Sequence, residues 1–172
     1  MKITFLIPRV LEPYEKREME FRGSGTESDP AIIEPSENLP GYIMLELSNL
    51  YITIQNCYLD KILLVTCQNV KIENCNVRII SLPYCSNISL IKSTIRRTIS
   101  FWESDNIKIA ESTINRLKIR LSNSNIIKNS TIKKVKFITG HDNILEANTI
   151  PEKHLNKIKK RYWYHWYKLK II

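Results

Sequence analysis

The sequence lacks several features that would point to particular classes of protein. It has only four glycines, no CxxC motif and no window of the ~18 apolar residues that a helix needs to span a bilayer. The apolar run within Met1–Pro8 is too short for a secretory signal. We therefore expect no transmembrane segment, a cytoplasmic location, and no metal site or cofactor. The cysteines are then expected to be small buried residues in a reducing compartment: Cys57, Cys67, Cys75 and Cys85.

The charges divide the chain into three segments. Residues 1–48 hold 5 Lys/Arg and 9 Asp/Glu, residues 49–150 hold 14 and 7, and residues 151–172 hold 7 and 1. The net charge of +9 therefore belongs to the middle and the end of the chain. This division predicts an acidic N-terminal cap over 1–48, a central domain over 49–150 and a basic aromatic C-terminal cap over 151–172.

A short repeat fills the central segment. A polar residue, an asparagine and an aliphatic residue recur at intervals of 20, 18, 19, 19 and 18 residues, with the asparagines at Asn49, Asn69, Asn87, Asn106, Asn125 and Asn143. A second anchor keeps step with the first, and its aliphatic residues are Leu59, Val77, Ile95, Ile114, Ile132 and Ile150. Two anchors in phase over six units predict a stack of similar coils.

Within each unit the apolar residues alternate with polar ones, as in Leu117-Lys118-Ile119-Arg120-Leu121. A period of two predicts short, half-buried strands, and a unit of 18–20 residues has room for three of them and three Asn/Ser/Asp corners. We therefore predict an all-β fold, a single-stranded parallel β-helix of about six coils. Its interior is expected to include a column of Val70, Ile88, Ile107 and Ile126, and its corners a column of the six asparagines.

This pattern resembles the right-handed parallel β-helices of pectate-lyase-like proteins, and the short coil is similar to that of the bactofilins, which form filaments. The resemblance covers about 100 residues and rests on the repeat alone. Left-handed β-helices place an aliphatic residue at every sixth position, whereas Thr94 and Ser100 occupy those positions after Ile88. The sequence therefore favours the right-handed form. The repeat and the open strand ends make a self-assembling structural protein one alternative for its function.

The flanking segments are expected to cap the open strand edges at the two ends. Met1–Val10 is predicted to be a strand, and Glu12–Pro40 a charged loop. The C-terminal segment starts as a helix would, with Pro151-Glu152, but Tyr162–Ile171 also suits an aromatic strand. Its bases and rings either plug the β-helix or contact a partner, and the contact residues would then be Lys160, Arg161, Trp163 and Trp166.

Basic residues recur at matching positions of successive coils. One column is predicted to contain Lys61, Arg97, Arg116 and Lys134, a neighbouring one Arg78, Arg96 and Lys133, and Lys118 and Lys136 extend the patch. Stacking like charges one strand apart is unfavourable, so such columns suit a polyanion such as nucleic acid or an acidic polysaccharide. A plain solvated face is the competing interpretation. The leading hypothesis is a non-catalytic scaffold or binding module with a polyanion on this face.

A carbohydrate-active β-helix enzyme is the second alternative, and it is less favoured. Asp105 and Asp142 are predicted to share a corner column two coils apart, roughly 10 Å, at the edge of the range for an inverting carboxylate pair. Corner residues that bond the local backbone explain both aspartates more simply. No phosphate-binding loop or Ser-His-Asp arrangement is present, so no catalytic residue is predicted. Self-association through the β-helix ends is the third expectation.

Overall fold

The computed structural model describes residues 4–7, 15–18, 22–34, 41–156 and 169–171, and it forms a parallel β-solenoid of about six turns. The predicted all-β, parallel coil architecture is thus confirmed. A single short helix, α1, spans residues 152–156. The right-handed sense of the coil stays a prediction, as does the division of the chain at residues 48 and 150.

Sixteen strands of the described residues form two eight-stranded sheets. Sheet A contains, in spatial order, β14 (Thr131–Ile138), β12 (Thr113–Arg120), β10 (Thr94–Trp102), β8 (Asn76–Pro83), β6 (Tyr58–Val65), β4 (Tyr42–Glu46), β1 (Thr4–Ile7) and β2 (Glu15–Glu18). Sheet B contains β16 (Leu169–Ile171), β15 (Asn143–Glu146), β13 (Ile126–Lys128), β11 (Lys108–Ala110), β9 (Ser89–Ile91), β7 (Val70–Glu73), β5 (Ile52–Gln55) and β3 (Ala31–Ile33).

Each coil contributes one short strand to sheet B and one long strand to sheet A. The three strands expected per coil become two because the second predicted corner is a bend inside the long strand. In β8, Val77 and Ile80 are buried while Arg78 and Ile79 between them both face outward, which breaks the alternation once. Two outward residues in succession turn the chain without ending the strand, so the five long sheet A strands, β6, β8, β10, β12 and β14, stay continuous.

The remaining corners are made by single residues in the left-handed conformation. After the sheet B strands these residues are Asn56, Asn74, Lys92, Glu111, Asn129 and Ala147, and after the sheet A strands Leu47, Thr66, Tyr84, Glu103 and Leu121. Before the sheet B strands they are Asn69, Asn87, Asn106, Ser124 and Asp142. Asparagine tolerates positive φ better than other L-residues apart from glycine. Asparagine therefore occupies many of the left-handed positions that glycine occupies in other tight turns.

The core is a stack of aliphatic columns bounded by small polar ones. The predicted column of Leu59, Val77, Ile95, Ile114 and Ile132 is in register and fully buried. Beside it, backbone N–H groups donate to a side-chain oxygen of the next coil: Ser93 N–H donates to the Ser112 hydroxyl at 3.1 Å, and Ser130 N–H to Asn148 Oδ1 at 2.9 Å. This column contains Cys57, Cys75, Ser93, Ser112, Ser130 and Asn148. A second one runs through Cys67, Cys85, Ser104 and Ser122.

The asparagine column departs from the prediction in its last two coils. Asn125 and Asn143 are only 1% and 2% exposed, and they align with the buried residue Ile107 of an earlier coil. Ser124 and Asp142 therefore occupy the corner instead. Ile126 is correspondingly outside the core. The predicted inner column of Val70, Ile88 and Ile107 therefore continues with two buried amides. The amides stay inside because they satisfy each other and the backbone, with a 2.8 Å hydrogen bond from Asn125 Nδ2 to Asn143 Oδ1.

Strands cover both ends of the stack. At the N-terminal end β1 pairs antiparallel with β4, and β2 pairs with β1, which confirms the predicted strand in Met1–Val10. The predicted loop over Glu12–Pro40 is wrong in part, because it contains β2 and β3, and buried Ala31 and Ile33 anchor β3 to β5. At the C-terminal end both expectations hold in part, since α1 follows Pro151 and β16 pairs with β15.

Candidate functional site: a basic face on sheet A

The nine predicted polyanion-binding residues of the solenoid divide into two groups. Those in the N-terminal half are engaged in intramolecular contacts or isolated from other bases. Arg78 Nε lies 3.0 Å from Asp60 Oδ1, and this ion pair joins β8 to β6. Lys61 pairs across the sheet with Tyr42 and Ile79, neither of which is basic. These two residues are therefore not part of a continuous charged surface.

Arg96 is also occupied by the fold. Its Nη2 donates to the carbonyl oxygen of Leu59 at 3.0 Å, and its guanidinium lies 4.5 Å from the ring centroid of Tyr58. Its own carbonyl accepts a hydrogen bond from Asn115. The side chain is half-buried in these contacts, so Arg96 is better described as a residue that links β10 to β6, two coils away across β8.

The second group lies on two adjacent strands near the C-terminal end of sheet A. Strands β12 and β14 contain six bases and no acidic residue: Arg116, Lys118 and Arg120 on β12, and Lys133, Lys134 and Lys136 on β14. We call these six residues the basic face. They face outward because Leu117, Ile119 and Val135, which alternate with them, are buried in the core. The alternation that builds the strands therefore also concentrates the charge on one surface.

Pairing across the two strands brings one pair of bases into direct opposition, and a register shift after Leu117 places Lys118 opposite Phe137. Arg116 is the register partner of Lys134, as the sequence predicts. Arg97 was expected in the same column. Instead, Thr98 pairs with Ile79, which is the register partner of Lys61. A register shift in β10 therefore leaves Arg97 exposed beside the column. The extra residue of β10 causes this shift, and it accounts for the 19-residue spacing there.

Arg120 belongs to the basic face although it was missed from the predicted site. The signal was available, because Arg120 follows Lys118 at the two-residue spacing of one strand face. Among the side chains that the structure describes, none of the six bases forms an ion pair with an acid; the pairs found there are Arg22–Glu34, Lys71–Glu73 and Arg78–Asp60. The predicted tail contacts Lys160, Arg161, Trp163 and Trp166 lie outside the described residues.

The predicted carboxylate pair is not formed. Asp105 aligns with Asn123, whose backbone N–H donates to Asp105 Oδ1 at 2.6 Å, and the next residue of that column is His141. Asp142 lies in a different column, below Asn106 and Ser124. The prediction that the two aspartates share a corner column is therefore wrong by one position. Asp142 occupies the corner because Asn143 has moved into the interior. Across the described residues, no cluster of three or more His, Cys, Asp or Glu side chains could hold a metal ion.

The four thiols are buried and unbridged. Burial raises the pKa of the Cys85 thiol to about 11, and it also raises the pKa of Cys67. A hydrogen bond with Cys75 raises the pKa of Cys57, further supported by burial. Cys85 Sγ donates to the carbonyl of Leu64 at 3.2 Å, in the way that a serine hydroxyl does elsewhere in the same column. These cysteines are core residues of the corners.

A shallow groove on the opposite sheet was not foreseen. It has a volume of about 590 Å³ and runs beside the asparagine corner, and its lining includes Asn69, Asn87, Asn106, Lys71 and Lys108. The amide of Asn87 bonds that of Asn69 at 3.4 Å, and the amine of Lys71 pairs with Glu73. Since Asn69, Asn87 and Lys71 already bond neighbouring side chains, the basic face of sheet A remains the stronger candidate.

Comparison of the chain with protein-family models, with curated proteins and with solved structures found no match. The described part of the chain contains no helix that is long and apolar enough to cross a membrane. The candidate site therefore stands on its own geometry and charge.

Proposed function

We propose that this protein is a non-catalytic β-solenoid module that binds a polyanion on the basic face of β12 and β14. The observation that carries the proposal is the direct pairing of Arg116 with Lys134 on two adjacent strands that contain no acidic residue. Like charges opposite each other destabilise a sheet, by roughly 0.2–1 kcal/mol per pair. A ligand whose anionic groups lie between the bases offsets that cost, whereas a solvated surface gains nothing from concentrating them.

The shape of the surface supports an extended ligand. Successive bases on one face of a strand, such as Arg116 and Lys118 or Lys134 and Lys136, lie two residues apart, about 7 Å, and the strands lie about 4.8 Å apart. A flexible chain of phosphate or sulfate groups can follow such a grid, and each neutralised phosphate releases a condensed counterion. Nucleic acid and acidic polysaccharide both meet this description.

The test is binding of the full-length, nuclease-treated protein to single-stranded RNA, duplex DNA and heparin at about 50 and about 200 mM salt. We expect binding that weakens steeply as salt rises. The double variant Arg116→Glu/Lys134→Glu should lower affinity at least about tenfold, since it replaces two attractive contacts by repulsive ones.

The matched control is Lys108→Glu/Lys128→Glu, which makes the same change in net charge on the exposed face of sheet B. It should lower affinity only by reducing the net positive charge that attracts the polyanion at long range, and by much less than the sheet A variant does. Equal losses in the two double variants would show that the basic face has no special part in binding. No binding to any of the three polymers at about 50 mM salt would remove the proposal.

A further inference from the structure

The exposed apolar side chains of the solenoid are concentrated at one corner. Of the five large apolar residues that are exposed within the described chain, four lie at or beside the corner that follows the sheet A strands: Leu47, Tyr84, Trp102 and Leu121. The fifth, Tyr58, packs against Arg96 elsewhere. Thr66 and Glu103 occupy the same corner in the intervening coils, so the apolar residues form a cluster that polar residues interrupt. Exposed apolar clusters commonly mark binding sites.

Two of these side chains form a tilted aromatic pair. The ring centroids of Tyr84 and Trp102 lie 5.2 Å apart with an interplanar angle of 42°, yet the residues remain 45% and 42% exposed. Tyr84 holds this position in the left-handed conformation, with φ 57°, which is rare for a bulky residue. The fold thus holds an aromatic ring at a strained corner and leaves its surface in water.

The aromatic pair continues directly into the basic face. Arg120 is the register partner of Trp102, and its guanidinium lies 5.8 Å from the Trp102 ring centroid. Lys118 lies two residues before it on the same face of β12. The molecule therefore presents three flat groups in successive coils, Tyr84, Trp102 and Arg120, which we call the stacking corner, next to a grid of positive charges.

We infer that the polyanion is a single-stranded nucleic acid whose bases stack on the stacking corner while its phosphates contact the basic face. This inference rests on the proposed function. Unpaired bases expose π-faces that stack on aromatic rings and on arginine planes, whereas a duplex buries those faces. An acidic polysaccharide supplies the charge without such faces, so the stacking corner favours the nucleic acid.

The experiment compares three probes with the full-length protein at one salt concentration: an oligothymidine of about 20 nucleotides, an abasic strand of the same length, and heparin. The abasic strand keeps the phosphates and removes every base. We expect oligothymidine to bind at least about tenfold more tightly than the abasic strand, because stacking adds to the phosphate contacts.

The variant Trp102→Ala/Tyr84→Asn should remove that advantage and leave binding of heparin and of the abasic strand unchanged. Asparagine is chosen because it tolerates the left-handed conformation of position 84. Trp102→Tyr keeps a ring and should retain most of the advantage. If the double variant folds poorly, the wild-type comparison of oligothymidine with the abasic strand still tests the inference. Tyr58→Ala removes a similarly exposed ring elsewhere and should bind as the wild type does.

The outcomes separate the inference from the proposed function. If heparin and the abasic strand bind as tightly as oligothymidine, or if the double variant keeps the preference for oligothymidine, the stacking inference is overturned and polyanion binding stands. If the wild type binds none of the three probes, both are overturned. A preference that disappears in the double variant and persists in Trp102→Tyr and Tyr58→Ala supports both.

Discussion

The side chain of Asn125 links three successive coils from inside the core. Its Oδ1 accepts the N–H of Ile107 at 2.8 Å, and its Nδ2 donates to Asn143 Oδ1 at 2.8 Å and to the carbonyl of Ser104 at 3.4 Å. A buried amide that is fully bonded in this way fixes the register of the coils, because any slip leaves several polar groups unpaired.

Asn125→Ala should therefore lower the free energy of unfolding by about 1–3 kcal/mol, since it leaves the N–H of Ile107 buried without an acceptor. Urea denaturation measures this change. The control is Asn49→Ala, at an exposed corner residue, which should stay within about 0.5 kcal/mol of the wild type. Equal effects of the two substitutions would show that the interior amides are not structurally important.

Cys85 gives a pH-dependent prediction at the same scale. Burial raises the pKa of its thiol from 9.0 to about 11, so the folded state disfavours the thiolate. Because the pKa of Cys85 is raised in the folded state, the stability that depends on the protonated thiol is fully present below pH 9.0. That part of the free energy of unfolding is lost as the pH rises through about 11.

Cys85→Ser should fold, because Ser104 and Ser122 occupy the same column, and it should lose less stability than the wild type between pH 9 and about 11. The measurement is the urea midpoint of both proteins across that interval. The difference between the proteins isolates the thiol from other groups that titrate there. Parallel losses in the two proteins would contradict a buried, titrating Cys85.

At the scale of the element, β12 and β14 have a well-buried apolar inner face and an outer face on which two bases oppose each other. Their inward residues are fully or nearly buried, for example Leu117 and Val135, so the strands pair well despite the charges outside. The free energy that a like-charged pair costs the sheet is small beside that of the buried aliphatic side chains. The fold therefore tolerates the basic face without depending on it.

Lys134→Glu should then have opposite effects on stability and on binding. It places an acid opposite Arg116 and should raise the free energy of unfolding by roughly 0.2–1 kcal/mol at low salt, while it weakens polyanion binding. Urea denaturation at low and high salt checks the first part, since added salt should shrink the gain. A destabilised variant at low salt would mean that Lys134 serves the fold rather than a ligand.

At the scale of the whole molecule, repetition explains why the architecture could be predicted. Two anchors in phase fix the number of coils, and alternation fixes which residues are buried, so the column through Leu59 was predicted correctly. The structure also extends the parallel stack back to β3 and β4, before the first asparagine anchor. Those strands lack the anchor motif, which is why the sequence did not reveal them.

The details that failed share one physical origin, which is that a solenoid accepts one-residue shifts between coils. Ile126 is preceded by Ser124 and Asn125, and this sequence is compatible with two arrangements. Either Asn125 is the corner residue, as predicted, or Ser124 is the corner residue and Asn125 lies in the interior, as observed. Only the interior hydrogen bonds of Asn125 decide between the two. The extra residue in β10 likewise displaced Arg97, and the stacking corner depends on ring positions that spacing alone does not give.

The most direct test of the basic face is lysine acetylation of the wild-type protein with and without heparin, read out residue by residue by mass spectrometry. The account predicts that heparin protects Lys118, Lys133, Lys134 and Lys136 and leaves the exposed Lys92, Lys108 and Lys128 as reactive as before. These seven lysines share one sample, so each set controls for the other. Protection spread evenly over both sets, or confined to the second, would contradict a ligand site on β12 and β14.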